Sequence, residues 1–514
     1  MITEERKLAF RKLLENATLY IPIPEEKLIN DIVISDDLPN TIAEEFLKQS
    51  KVGFKYNRFD GYSIWSKGKY QPAEDTKEIR LHIRKFIAKC KVEKRKKEGD
   101  SWIKYKEKLK RQTSGFVTDV LESLAALPDV HILPSKKAPC SLDEVLDASY
   151  VIAANNTLID ISKRPHVTHA ITEQFYTMNY LSYDYDKSLF SEKFAKFLVE
   201  ITCSDIDLMT LLQQWCGYLL LPTLEYQKFL LCVGDGANGK GVFFDTITAA
   251  LGADNISNVP LSRFEDTSAL FGTHGKLANI SNESSKTLTG DAESILKEYV
   301  AGDKILWRQL YKNAFFDYPT AKLMFATNEL PNIQDSTDGV WRRMILVPFN
   351  AKFSGEQINI NLARELRQPE ELAGILNWMI EGAEMLIKNK GFVQPEKCKI
   401  ALKKYRDENS SARLFLNEQV EQDLEKDGGK LPCTWLHEQY QIWCKANGFK
   451  PFNNFYFGKA IWTQYDVQKV RPWFGEKKLT AYTGIKPQEG SELDIELGKW
   501  TYSGHSNSDD HVQY

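Results

Sequence analysis

A chain of 514 residues with 42% hydrophobic content can bury a sizeable core, and its length suits three or four folded units better than one. It has no run of eighteen apolar residues and a charged N-terminus, MITEERKLAFRKLLENA, which argues against a membrane span or secretory signal and for a cytosol-like compartment. A net charge of −3 argues against a generally basic nucleic-acid coat, and the eight scattered cysteines, without a CxxC pair, read as reduced structural thiols.

Residues 1–112 open with helical patterning and pass through a hairpin-like stretch, KYNRFDGYSIWSKGKY, with Asp60-Gly61 as its turn signal. A basic run follows from Arg84 to Arg111, with Lys and Arg at helical intervals. It reads as a solvated helix face or as a secondary phosphate contact. Residues 113–220 mix helices with one strand-like piece, YVIAANNTLIDI, turning at Asn155-Asn156. The segments FSEKFAKFLVEI and DLMTLLQQWCGYLLL have the three-and-four spacing of buried helices, predicting a helical collar. Asp184 and Asp186 lack the companions of a two-carboxylate metal site and are read as turn formers.

Residues 221–395 alternate short apolar runs (KFLLCVG, KLANIS, KLMFATN, RMILVPF) with helical stretches, the pattern of a parallel sheet flanked by helices. Residues 396–485 suit a small winged-helix-like domain, and 486–514 read as a polar, partly disordered tail.

The chemistry lies in the third block. A β-run leads directly into Gly234-Asp235-Gly236-Ala237-Asn238-Gly239-Lys240, followed by Gly241, Val242 and a helical pattern. Here glycines let backbone N–H groups face phosphate oxygens, the helix adds its positive end, and Lys240 brings a full charge to the β- and γ-phosphates of ATP. Gly241 stands where the motif has a Mg²⁺-binding Ser or Thr, so a water takes that position. Glu283, ending KLANISNE, is the candidate for engaging Mg²⁺ or polarising the attacking water. Asn328, ending KLMFATN, would orient that water. Arg343, with Arg342 beside it, precedes the strand MILVPF and would stabilise transition-state charge on a neighbouring subunit.

These motifs, in this order, resemble the superfamily 3 helicases, particularly the phage- and poxvirus-type primase–helicase group. The likeness is carried by GDGANGKGVF, GDKILWRQLYKNAFF, KLMFATNELP and GVWRRMILVPF, with NNTLIDI upstream resembling an NGxLDL element. The resemblance implies an α/β, AAA+-like P-loop domain with a helical collar before it and a winged-helix-like domain after it. It also implies a homo-hexameric ring with ATP between subunits, moving 3′ to 5′ on single-stranded or forked DNA in the replication of a phage, virus or mobile element in host, bacterial, cytoplasm. A β-hairpin from about Gly302 to Tyr318 would project into the channel, with Lys304, Arg308 and Lys312 on DNA and Trp307 and Tyr311 against sugars or bases.

Two departures bear on this: the metal shell is thin, and residues 1–112 lack a primase metal pattern, so priming would come from a separate primase or polymerase. An ATP-assembled origin-binding initiator or loader, and a nucleotide-dependent scaffold or defence ATPase, are the competing classes.

Overall fold

The computed structural model describes residues 32–502, apart from 51, 58–60, 67, 74–75, 110–112, 134–135, 283–287, 289, 310–312, 334–337, 356–357, 424–428, 450 and 475–476. The first unit is built from β1 (Ile32–Ile34), α1 (Pro39–Gln49), an antiparallel meander of β2 (Gly53–Asn57), β3 (Gly61–Ser66) and β4 (Lys69–Pro72), α2 (Thr76–Ile87), β5 (Cys90–Glu98), β6 (Ser101–Lys108) and α3 (Ser114–Ala126). The β2–β3 turn holds Gly61 at φ 78°; Asp60 lies outside the described residues. One core joins Ile42, Phe46, Phe54, Ile83, Phe86 and Val92 to Phe116, Val120 and Leu124 of α3. The unit therefore runs to about residue 131, past the expected boundary at 112, because the apolar face of α3 is buried here.

The basic run is not a helix. Helix α2 stops at Ile87, and β5 and β6 form an antiparallel ribbon paired from Lys91↔Lys108 to Glu98↔Ser101, turning at Gly99 (φ 64°) and Asp100. A Gly at φ > 0 in a two-residue connection is what a tight hairpin needs. Val92 is buried where β5 pairs in parallel with β1, whereas both strands are exposed toward the turn, β6 including Trp102, Ile103 and Tyr105.

Three short antiparallel strands follow: β7 (Val151–Ala153), β8 (Leu158–Asp160) and β9 (Val167–His169). The expected Asn155-Asn156 turn joins the first two. Asn155 donates to Asp184 (2.7 Å), and Asp186 accepts from the Ser188 amide (2.8 Å) and hydroxyl (2.7 Å), so both carboxylates cap turns. The next helices, α4 (Glu192–Ile201) and α5 (Ile206–Leu219), do not form a separate collar. Their apolar residues Phe194, Phe197, Leu211 and Trp215 share one core with the sheet described next.

That sheet contains β10 (Phe229–Val233), followed by α6 (Lys240–Leu251), β11 (Ile256–Ser257) and β12 (Ala278–Asn282), followed by α7 (Gly290–Ala301). A hairpin of β13 (Ile305–Trp307) and β14 (Phe315–Asp317) stands outside it, and β15 (Lys322–Thr327), α8 (Asp338–Trp341) and β16 (Met344–Pro348) complete the domain. All five sheet strands run parallel in the order β11-β12-β15-β10-β16. Alternate residues bury on opposite faces. Leu230, Cys232, Met324 and Ala326 meet α4, α5 and α6, whereas Phe229, Leu231, Leu323 and Phe325 meet α7 and the hairpin. Burial on both sides explains why these strands read as continuous apolar runs.

Helix α9 (Pro369–Asn389) closes the first face against α5. The backbones approach so closely that a Cβ on Gly217 would lie 2.1 Å from the Ala383 nitrogen, and one on Gly382 would lie 2.0 Å from the Gln213 carbonyl. Helix α10 (Glu396–Glu408) leads to a last unit of α11 (Ser411–Gln419), α12 (Cys433–Ala446), α13 (Asn454–Gln464), β17 (Gln468–Val470), β18 (Ala481–Thr483) and α14 (Glu492–Tyr502). In it β18 pairs with both Leu431–Pro432 and β17. Within the expected polar tail, Glu492–Tyr502 instead form a helix docked through Leu493, Leu497 and Trp500. All eight cysteines carry free thiols, and no helix among the described residues is long and apolar enough to cross a membrane.

Candidate active site

Parallel strands deliver their following loops to one edge. Register pairs Val233 with both Thr327 and Pro348, so the segments after β10, β15 and β16 leave the sheet side by side. The segment after β10 is the glycine-rich loop. Gly236 (φ 97°), Ala237 (φ 46°) and Gly239 (φ 82°) take left-handed backbone, which turns the chain sharply into α6. Gly239 cannot be replaced without movement, because a Cβ there would lie 2.5 Å from Ile201 Cγ2 on α4. The nominal collar helix thus fixes the loop from behind.

Within this cradle Asn238 is buried, donating to the Phe349 carbonyl (3.3 Å) and accepting from the Lys240 amide (3.3 Å). Asp235, Gly236 and Ala237 are exposed at the rim, and Gly241 and Val242 follow in the first turn of α6, where helical N–H groups have no intrahelical acceptor. The Lys240 ammonium donates to the Gly234 carbonyl and to Asn328 Oδ1 (3.2 Å). Burial lowers its pKa, partly opposed by Cys232 and Asp235. The arrangement therefore brings Lys240 and Asn328 into direct contact, as two halves of one site. This donor set suits a polyphosphate: amides at a helix N-terminus, a lysine, and a loop without side-chain obstruction. Gly241 offers no metal-binding oxygen, but a Cβ there would meet nothing within 4 Å. Glu283 lies outside the described residues; its strand ends at Asn282, paired with Ala326.

Arg342 and Arg343 lie at the other end of the sheet, immediately before β16, where the Arg343 carbonyl accepts from the Phe229 amide (2.9 Å). A five-residue strand spans roughly 17 Å, which separates them from Lys240 of the same chain. Arg342 is exposed. Arg343 is half-buried, its Nη1 donating to the Gly339 carbonyl (2.9 Å) and its Nε buried without a partner. Lys228 donates to the Arg342 carbonyl, so three cations gather at this edge. Sequence reasoning favoured Arg343; the exposed guanidinium is that of Arg342.

The hairpin forms where expected, pairing Ile305↔Asp317, Leu306↔Phe316 and Trp307↔Phe315. Lys304 and Arg308 are exposed; Lys312 and Tyr311 lie outside the described residues. Trp307 corrects the expectation of nucleic-acid contact. It is fully buried, 5.2 Å from the His274 ring, with its Nε1 donating to the Asp317 carbonyl (3.0 Å). The outward apolar residues are instead Leu306, Phe316 and Tyr318. A cluster invisible to sequence reasoning roots the hairpin: the buried Asp317 carboxylate pairs with Lys137, accepts from the Tyr318 amide (2.8 Å) and meets His274 Nε2 (3.1 Å). Burial, with Lys137 nearby, pushes His274 down to about 4, so near neutrality it is a neutral donor to Asp317 and Lys137 supplies the countercharge. These residues come from three distant segments, and no local pattern signals their meeting.

A family model described as a family of unknown function (DUF5906) matches residues 232–343, which run from the end of β10 to the arginine pair. A protein of Acanthamoeba polyphaga mimivirus named "Putative helicase L207/L206" is 32% identical over 144 residues, covering 26% of this chain and 15% of that protein. The matched part is thus a small fraction of that relative's length. Among solved structures, the apo A form of the NrS-1 C-terminal region has a TM-score of 0.46 at 13% identity, covering 87% of this chain and 99% of that one. A second apo structure of that region gives 0.45 at 12%, with the same coverage.

Proposed function

We propose that this chain is an ATP-driven DNA helicase or translocase that works as a ring in the replication of a virus, phage or mobile element. The observation that carries the reading is the contact between Lys240 and Asn328 at the mouth of a glycine-rich loop, on the edge of a parallel sheet. Similarity to a viral protein named as a helicase supports it. ATP with Mg²⁺ would supply the free energy and the phosphate neutralisation. Lys240 and the first-turn amides of α6 bind and orient phosphate oxygens, Asn328 turns toward the attacking water, and Glu283 is the candidate base and metal partner. Arg342 and Arg343, a strand's length from their own loop, would serve a neighbouring subunit, which requires a head-to-tail assembly; six copies would close it. Lys304 and Arg308, with Lys312, would grip single-stranded DNA from the hairpin, moving 3′ to 5′.

A second reading is an ATP-assembled initiator. The last unit favours it: its helix α13 exposes Phe455, Tyr456 and Trp462. The deciding experiment measures ATP hydrolysis with and without single-stranded DNA, alongside unwinding of 3′- and 5′-tailed forks, in wild type and Lys240→Ala. DNA-stimulated, Lys240-dependent turnover with unwinding of the 3′-tailed fork is expected. Turnover without unwinding moves the assignment to the initiator, and turnover that survives Lys240→Ala refutes the site.

A further inference from the structure

The β5–β6 ribbon has two unlike faces. Because side chains alternate along a strand and directly paired residues share a face, its register sorts them without ambiguity. Lys91↔Lys108, Glu93↔Lys106, Arg95↔Lys104 and Lys97↔Trp102 lie on one side. Val92↔Glu107, Lys94↔Tyr105, Lys96↔Ile103 and Glu98↔Ser101 lie on the other. The first side carries Lys91, Arg95, Lys97, Lys104, Lys106 and Lys108 against the single carboxylate of Glu93, which pairs with Lys104 at 2.6 Å. The second balances Lys94 and Lys96 with Glu98 and Glu107, and Lys94 meets Glu107 at 2.7 Å. Such one-sided charge is not needed to keep the ribbon soluble, since the other side stays solvated while nearly neutral.

Shape narrows the partner. The ribbon is rooted in the first core by Cys90 and Val92, and from Glu93 to its turn it extends roughly 20 Å, with same-face side chains about 7 Å apart. Two strands of this width fit the B-form major groove, about 12 Å across, which the deep, narrow groove of A-form RNA does not match. Single-strand sites interleave cations with successive stacking aromatics, but here the cationic side has only Trp102, 67% exposed near the turn, while Tyr105 faces the other way.

We propose that the β5–β6 ribbon is a docking element for double-stranded DNA, its Lys/Arg face lying against groove phosphates and Trp102 leading at the tip. This surface is separate from the hairpin at 305–317 and does not rest on the nucleotide-site reading. It would hold duplex while the hairpin engages a single strand.

The test is binding of the full chain, without nucleotide, to a short blunt DNA duplex and to a single-stranded oligonucleotide, by fluorescence anisotropy from about 50 to about 200 mM salt. Replacing Arg95, Lys97, Lys104 and Lys106 together with Gln should weaken duplex binding by roughly tenfold or more and flatten the log–log salt slope by about 3.6, with single-strand binding retained. All four side chains are exposed, so folding, checked by circular dichroism, should be unchanged. A charge-matched variant at exposed Lys163, Lys187, Lys403 and Lys404, and Lys94→Gln with Lys96→Gln on the other face, should leave duplex binding near wild type. Wild-type duplex binding by the four-fold ribbon variant overturns the proposal. So does an equal loss in the charge-matched variant, or a loss confined to the single strand. None of these results depends on ATP turnover, so the motor reading stands or falls separately.

Discussion

Replacing Trp307 separates an anchoring role from a DNA-contacting one. The indole is fully buried beside His274 and Tyr299 and donates to Asp317, at the base of a hairpin with three residue pairs among the described residues. Truncating a buried tryptophan costs about 3–5 kcal/mol, of which the hydrogen bond accounts for about 1 kcal/mol. A two-stranded element this short has little stability of its own, so the loss should appear as local opening rather than global unfolding. At about 4 kcal/mol the open hairpin becomes roughly a thousandfold more populated in Trp307→Ala; Trp307→Phe, keeping most of the packing, changes it by only about tenfold. Hydrogen exchange of the hairpin amides reads this directly. Alongside it, DNA-stimulated ATP turnover should collapse in Trp307→Ala while nucleotide binding persists. The reasoning is refuted if Trp307→Phe loses single-stranded DNA binding with exchange protection intact, since the indole would then touch DNA itself.

Gly241→Ser should fold, because its Cβ meets nothing, and should lower the Mg²⁺ concentration for half-maximal turnover several-fold; an unchanged Mg²⁺ requirement refutes the missing-ligand account. Arg342→Ala and Arg343→Ala should each retain nucleotide binding and lose turnover by about 10³-fold, and wild-type rates in both would remove the trans-acting role. Arg343→Ala should also lower Tm slightly, through loss of its bond to Gly339. Lys322 is fully buried and burial lowers its pKa to about 7, so it loses its proton there in the folded state but holds it to about 10 when unfolded. Between those values the unfolded chain binds the extra proton, and stability rises with pH. Lys322→Met should therefore raise Tm clearly at about pH 6 and little at about pH 9.5; equal shifts at both would show that the lysine is not the cause.

Legibility followed burial. The four apolar runs, the glycine-rich loop and the 302–318 hairpin all appear where the residues place them, because a sheet covered on both faces leaves unbroken apolar stretches. The basic run misled, since a ribbon exposed on both sides has no burial period and its lysines fit a helix as readily. Gly99-Asp100 was the available turn signal. Leu493, Leu497 and Trp500 already had helical spacing within the supposed tail. The Lys137–Asp317–His274 root was beyond reach, as its members meet only through tertiary packing.

Lys240 and the arginine pair sit at opposite ends of neighbouring strands, so under the proposed function one polypeptide would present half of a reaction centre on each of two flanks. In the proposed head-to-tail ring a chain defective at one flank remains a sound donor at the other. Two individually inactive proteins, one lacking the lysine and one lacking the arginines, would then rebuild intact junctions wherever the right flanks meet, roughly a quarter of them in an equal mixture. Under that proposal, genetic complementation between alleles of a single gene would follow from the direction of its strands.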